Sequence, residues 1–230
     1  MEIEAYHKLL EDKFLTYQEL ALIDVKDNGE PMVALPKEAS FRVLSIDQRM
    51  EKYTGKEIFV RQSLVKKIQA AQEILMTMIP DGMLEVVYGY RHLSIQMEAY
   101  EDIKKEIVSK KEYADETDLK EEVHHFIAVP EVSGHPTGGA IDIRITDTNG
   151  RPFDMGTNIH EFVKDSYVHT PFISKAAWHN RQLLRLCMMT AGFAPYDGEW
   201  WHFSYGDREW AKYYGKPNAI YDQVIFQSMR

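Results

Sequence analysis

Two short segments far apart in the chain constrain it more than any other feature. The first reads Ser133-Gly134-His135-Pro136-Thr137-Gly138-Gly139-Ala140-Ile141-Asp142, the second Glu199-Trp200-Trp201-His202. Read together, His135, Asp142 and His202 look like one metal site. Two imidazoles and one carboxylate leave a tetrahedral zinc one ligand short, and a hydrolytic site keeps that place for water. Any fold that uses them together must bring both segments to one point. Glu199, just ahead of His202, is then within reach as a general base.

Each segment has a local logic. Gly134, Gly138 and Gly139 surround His135, and a loop of small residues lets backbone approach a ligand closely. Residues 140–146 alternate, with Ile141, Ile143 and Ile145 on one strand face and Asp142 and Arg144 on the other. In the second segment Trp200 and His202 share a strand face and Trp201 takes the opposite one. Asp197-Gly198 is a turn that can swing the Glu199 carboxylate toward the metal. Flanking tryptophans lower the local dielectric and raise that carboxylate's proton affinity.

Taken alone, each segment also has a plainer reading. The first is a histidine hydrogen-bonded to a neighbouring strand; the second is an aromatic core strand with a solvent-facing glutamate. The other histidines are weaker still. His160-Glu161 starts like the helical His-Glu-x-x-His zinc motif, but Lys164 stands where its second histidine belongs. His124, His125 and His179 fall in helical stretches and His169 in a loop, as surface or satisfied core imidazoles.

Hydrophobic periodicity predicts helices over 63–79, 94–110, 118–126 and 175–190. Strands are predicted over 83–90, 140–146 and 200–205, with a C-terminal edge strand over 220–226. Pro80-Asp81-Gly82, Pro130, Asn149-Gly150 and Ala191-Gly192 punctuate them. This irregular order predicts an α+β fold, a central antiparallel sheet flanked by helices. A chain of 230 residues with 44% hydrophobic content can bury one sizeable core, so one domain over 1–230 is expected. Its metal-site region covers about 88–207, and residues 1–60 carry the weakest pattern.

The formal net charge of −9 argues against nucleic acid or an anionic membrane as partner. Cys187 is the one cysteine, so no internal disulfide forms, and its apolar neighbours place it in the core. The N-terminus lacks the pattern of a secretory signal, and no window approaches a membrane span; a cytoplasmic location is expected.

Together the two segments resemble the D-alanyl-D-alanine dipeptidases, zinc peptidases that cut the cell-wall dipeptide. The shared pattern is Ser-x-His-x-x-Gly-x-Ala-x-Asp followed by Glu-x-x-His. Here it stands as Ser133, His135, Gly138, Ala140, Asp142, Glu199 and His202. Phe153-Asp154-Met155-Gly156-Thr157, Asn180-Arg181-x-Leu183-Leu184 and the extension to Phe203 are similar too, so the likeness runs from about Tyr88 to Asp207.

The resemblance implies a D,D-peptidase or hedgehog-like zinc fold that binds one zinc ion per chain through His135, Asp142 and His202. It implies Glu199 as general base and Arg91, of the Tyr90-Arg91 pair, as the group holding the developing oxyanion. Ser133 would line the pocket for a small D-amino-acid dipeptide. Departures fall elsewhere: Tyr88 and His92 stand where the family usually has aspartate and proline. His160, with Glu161 next to it, stands where the family has the acid that grips the substrate's amine. Hydrolysis of D-alanyl-D-alanine is the expected activity. The alternatives are a D,D-carboxypeptidase or endopeptidase acting on longer wall peptides, and a zinc-retaining binding module.

Overall fold

The strand that carries Asp142 lies at the centre of the sheet. The computed structural model describes residues 3–228. Its elements run α1 (Ile3–Glu11), α2 (Tyr17–Ala21), β1 (Met32–Ala34), β2 (Arg42–Val43), α3 (Glu51–Thr54), β3 (Phe59–Arg61), α4 (Gln62–Met78), β4 (Met83–Tyr88) and α5 (Leu93–Val108). Then follow α6 (Glu116–His124), β5 (Ala140–Thr146), α7 (Lys175–Thr190), β6 (Ala194–Pro195), β7 (His202–Ser204) and α8 (Arg208–Tyr213). Five strands form one sheet in the order β2-β4-β5-β7-β6, and β1 pairs with β3 in a second, two-stranded sheet. The fold class is α+β, as the order of elements predicts.

The expected antiparallel sheet holds except at one edge, where β2 runs parallel to β4. The chain between them includes α3, β3 and α4, long enough for the crossover that parallel strands need. The predicted C-terminal strand over 220–226 does not form. That segment is held by Val224 N–H on Pro136 O at 3.0 Å, and by Phe226 N–H on the Tyr90 hydroxyl at 3.0 Å. Side-chain oxygens and loop carbonyls take the place of a strand ladder. The strand predicted over 200–205 shortens to His202–Ser204, because Trp200 N–H bonds Ser166 O instead. Trp200 therefore shares no strand face with His202.

Burial explains the central layers. In α4, Leu64, Ile68, Ala71 and Leu75 recur at helical spacing and are fully buried. They meet Leu184, Cys187 and Met188 of α7 and the isoleucines Ile141, Ile143 and Ile145 of β5 in one cluster. Burying each such aliphatic chain contributes roughly 1.5–3 kcal/mol. Burial also pushes the Cys187 thiol up to about 11, so it is an inert core residue. A second cluster, Leu20, Tyr100, Leu119, Val123, Val129 and Val132, joins α2, α5 and α6. No helix among the described residues is long and apolar enough to cross a membrane.

Candidate metal centre and active site

Register alone brings two of the three predicted ligands together. β5 and β7 are antiparallel neighbours with Asp142 opposite His202, so both side chains leave the same face. His135 opens a single 3-10 turn, His135–Thr137, just ahead of β5. Gly138 closes that turn at φ 73°, and a Cβ there would lie 2.5 Å from Met32 Sδ. Only glycine meets both demands without strain.

All three side chains are buried, and one ligand atom from each lies within 4.8 Å of the others. His202 Nδ1 stands 3.2 Å from Asp142 Oδ1, and His135 Nε2 stands 3.5 Å from the same oxygen. Zinc bonds of ~2.0–2.1 Å give a tetrahedral edge of about 3.3 Å, between those two separations. The opposite ring nitrogens decide which lone pairs are free. His135 Nδ1 lies 2.8 Å from the carbonyl oxygen of Gly89, so the proton sits there. Gly89 is itself obligatory, since a Cβ would fall 2.6 Å from Ile58 Cγ2 and 2.7 Å from Phe59 O.

His202 Nε2 faces Glu209 Oε2 at 3.3 Å, off the line of a hydrogen bond, and a proton on Nε2 there would leave Nδ1 free to ligate. With those tautomers, two imidazole lone pairs and a carboxylate oxygen converge on one point with no proton between them. A divalent cation is the partner that donor set fits.

The electrostatics agree. Burial pushes the His135 imidazole down to about 4, favouring the neutral, ligating form. Burial alone would raise Asp142, but His135, His160 and His202 outweigh it and hold the carboxyl well below its usual range. Burial also opposes charge on His202, yet Glu209 and Asp142 prevail and raise its proton affinity well above the ordinary value. A proton on His202 thus does in the bare site what a cation does in the loaded one.

Glu199 lies in the turn that feeds β7, its carbonyl accepting from His202 N–H at 3.2 Å. Burial raises its carboxyl to about 7; His202, Asp142, His160 and Arg91 are the charged groups that act on it. Arg91 follows the end of β4 and is tied to the same turn by its N–H on His135 O at 3.2 Å. Its guanidinium lies over the Tyr88 ring, 4.8 Å from the centroid. Tyr88 is paired with Asp142 across a bulge in β4, and its ring edge meets His135 at 5.3 Å.

Ser133 is buried two residues before His135, and its carbonyl accepts from Gln223 Nε2 at 3.2 Å. His160 comes directly onto the cluster, with Nε2 2.8 Å from Asp142 Oδ2. It does so at φ 61°, an uncommon conformation for a residue with a Cβ. Glu161 turns away: its carboxylate accepts from Asn158 N–H at 2.8 Å, and it lines a separate depression of about 370 Å³ with Arg144 and Trp200.

Sequence reading overlooked Glu209. It lies in the first turn of α8, where an acid is ordinary for a helix start, and no local pattern sets it apart. Its burial beside His202 is visible only after folding. Glu209→Gln is expected to weaken metal binding about 10–100-fold, the usual cost of losing a ligand's outer carboxylate. Chelator competition measures this, and an unchanged affinity would show that Glu209 does not orient His202.

The family model described as D-ala-D-ala dipeptidase (Peptidase M15) matches residues 44–226. The chain belongs to the D-ala-D-ala dipeptidase family. As a member of it, the chain is a hydrolytic metallopeptidase. A D-alanyl-D-alanine dipeptidase of Synechocystis is 29% identical over 230 residues, covering 89% of this chain and 93% of that protein.

Two solved structures align more loosely with this D-ala-D-ala dipeptidase family member. The vancomycin-resistance D,D-pentapeptidase VanY in complex with Zn(II) gives TM-score 0.41 at 16% identity, over 87% of this chain and 96% of that one. The D,D-dipeptidase VanXYg in complex with a D-Ala-D-Ala phosphinate analogue gives TM-score 0.39 at 17% identity, over 80% and 72%.

Proposed function

We propose that this chain hydrolyses the peptide bond of D-alanyl-D-alanine, using one zinc ion held by His135, Asp142 and His202. The observation that carries the reading is the convergence of those three ligand atoms within 4.8 Å, with Glu199 and Arg91 beside them. A zinc ion there supplies Lewis-acid polarisation of the carbonyl and a lowered pKa for water.

The chain's own residues supply the rest. Glu199, raised to about 7, accepts a proton from the attacking water and delivers it to the leaving amine. Arg91 presents its guanidinium to the carbonyl oxygen as negative charge builds there. Ser133 lines the substrate side of the turn. His160 bounds the site through Asp142, and it fits a substrate-contacting role better than Glu161, which faces another depression.

Arg91→Lys is expected to lower kcat about 10²–10³-fold, as for loss of one oxyanion donor, with metal content unchanged. Lysine keeps the charge but lacks the planar fork that two neutral partners hold. Steady-state kinetics beside metal analysis read both quantities, and wild-type kcat would remove Arg91 from the mechanism.

The deciding assay pairs bound-metal analysis with hydrolysis of three substrates: D-alanyl-D-alanine, the same dipeptide with its amine blocked, and a wall tetrapeptide. Cleavage of the free dipeptide alone supports the proposal. Cleavage of only the longer substrates would assign a D,D-carboxypeptidase or endopeptidase instead.

A further inference from the structure

Several arginines among the described residues are neutralised. Arg42, Arg61, Arg144 and Arg185 each pair with a carboxylate. Arg91 is held by neutral groups instead, as Arg181 and Arg208 also are, but it is the one beside the metal cluster. Its Nη1 donates to Gln96 Oε1 at 2.8 Å and its Nε to the Tyr88 hydroxyl at 3.3 Å. Its remaining partner is the face of the Tyr88 ring. Among the described residues it makes no ion pair, although Glu199 lies near enough to feel its charge.

The neutral clamp is itself braced. Gln96 is fully buried in α5, and its Nε2 donates to Ala128 O at 2.7 Å. That bond commits the amide oxygen to Arg91, since the amide has only one acceptor end. The Tyr88 hydroxyl donates to Asp47 Oδ2 at 3.0 Å and so turns its lone pair toward Arg91 Nε. Asp47 is in turn paired with Arg49, at 2.7 Å. The nearest acid behind the clamp therefore has its own cation.

We propose that Gln96 is a positioning residue that fixes Arg91 through a neutral oxygen, so that the guanidinium keeps its full charge for the oxyanion. The proposal rests on the role given to Arg91 above. A carboxylate at position 96 would anchor Arg91 equally well but would cancel its charge before the reaction begins. Preorganised charge acts in the transition state only to the extent that no other partner already satisfies it.

The test compares Gln96→Glu with Arg91→Ala in the zinc-loaded enzyme. Three quantities are read: kcat, KM for D-alanyl-D-alanine, and affinity for an anionic phosphinate analogue of that dipeptide. For Gln96→Glu we expect kcat to fall about tenfold or more, part of the ~10²–10³ of a full oxyanion donor. Phosphinate affinity should fall by a similar factor while KM moves less than about threefold, because the neutral ground state does not draw on the charge.

Wild-type kcat and phosphinate affinity in Gln96→Glu, with both lost in Arg91→Ala, would overturn the proposal and leave the role of Arg91 standing. Wild-type turnover in Arg91→Ala would instead remove that role. Should Gln96→Glu fail to fold, Tyr88→Phe serves: it keeps the ring and deletes the hydroxyl. A severalfold drop in kcat and phosphinate affinity at constant KM supports the clamp. No change in either overturns it.

Discussion

Replacing Glu199 with glutamine is expected to leave zinc bound and to cut kcat by about 10²–10⁴-fold, the range for losing a general base. The substitution keeps the side chain's shape and removes only its ability to take a proton. Metal analysis should find one zinc per chain in both proteins, since Glu199 is not among the three converging ligands. Wild-type turnover in this variant would dismiss Glu199 as the base.

The pH profile gives the same residue a second test. Burial holds the Glu199 carboxyl up to about 7. A base must be ionised, so kcat/KM should fall as pH drops through that region, and a bound dication beside it moves the limb lower. Glutamine abolishes this limb in the residual activity. The stability sign runs the other way. The folded chain holds that proton more tightly than the unfolded chain does, so Glu199 destabilises the metal-free fold increasingly as pH rises from about 4.5 to about 7. Chemical denaturation of the chelated protein at pH 8 should find Glu199→Gln the more stable of the two.

Asp142→Asn is expected to abolish both zinc binding at ordinary concentrations and measurable hydrolysis. Asp142 contributes the oxygen that faces both imidazoles, and its other oxygen faces His160. Losing that charge leaves a protonated His202 buried with only Glu209 beside it. Removing one member of such a buried ionic group costs about 3–5 kcal/mol. The loss follows pH in the depressed-carboxylate sense: the stabilisation from Asp142 is present above about 4, its unfolded value, and fades as pH falls.

Calorimetry separates metal from fold. Zinc at about 100 times its Kd should stabilise the wild-type chain by about 2.7 kcal/mol, roughly 5–10 °C in Tm for a chain of this size. Asp142→Asn should show no zinc-dependent shift. A shift equal to wild type would mean that the metal does not bind at this cluster.

Some of this site is written locally. His135, Asp142, Glu199 and His202 stand out because turn glycines, an alternating strand and a pair of tryptophans surround them. Ala140–Thr146 and Lys175–Thr190 form the strand and helix that their periodicity predicts. Residues 220–226 look like a strand from composition, yet they join neither sheet and are secured by scattered bonds such as those to Pro136 O and the Tyr90 hydroxyl. Glu209 and Gln96 look like ordinary helix residues until α8 and α5 carry them into the interior.

The amino-acid order by itself determined which side chains were chemically able to act: two imidazoles, a carboxylate and a nearby base, each in a local setting suited to its task. The tertiary structure decided which nitrogen of each imidazole is free, where the Asp142 oxygens point and what leaves Arg91 uncompensated. Those properties depend on contacts with Gly89 and His160, well separated in the chain, and with Glu209 and Gln96, nearer in sequence but carried on the separate helices α8 and α5. Hydrogen-bond direction and burial arise only when such residues meet, so no window of sequence contains them.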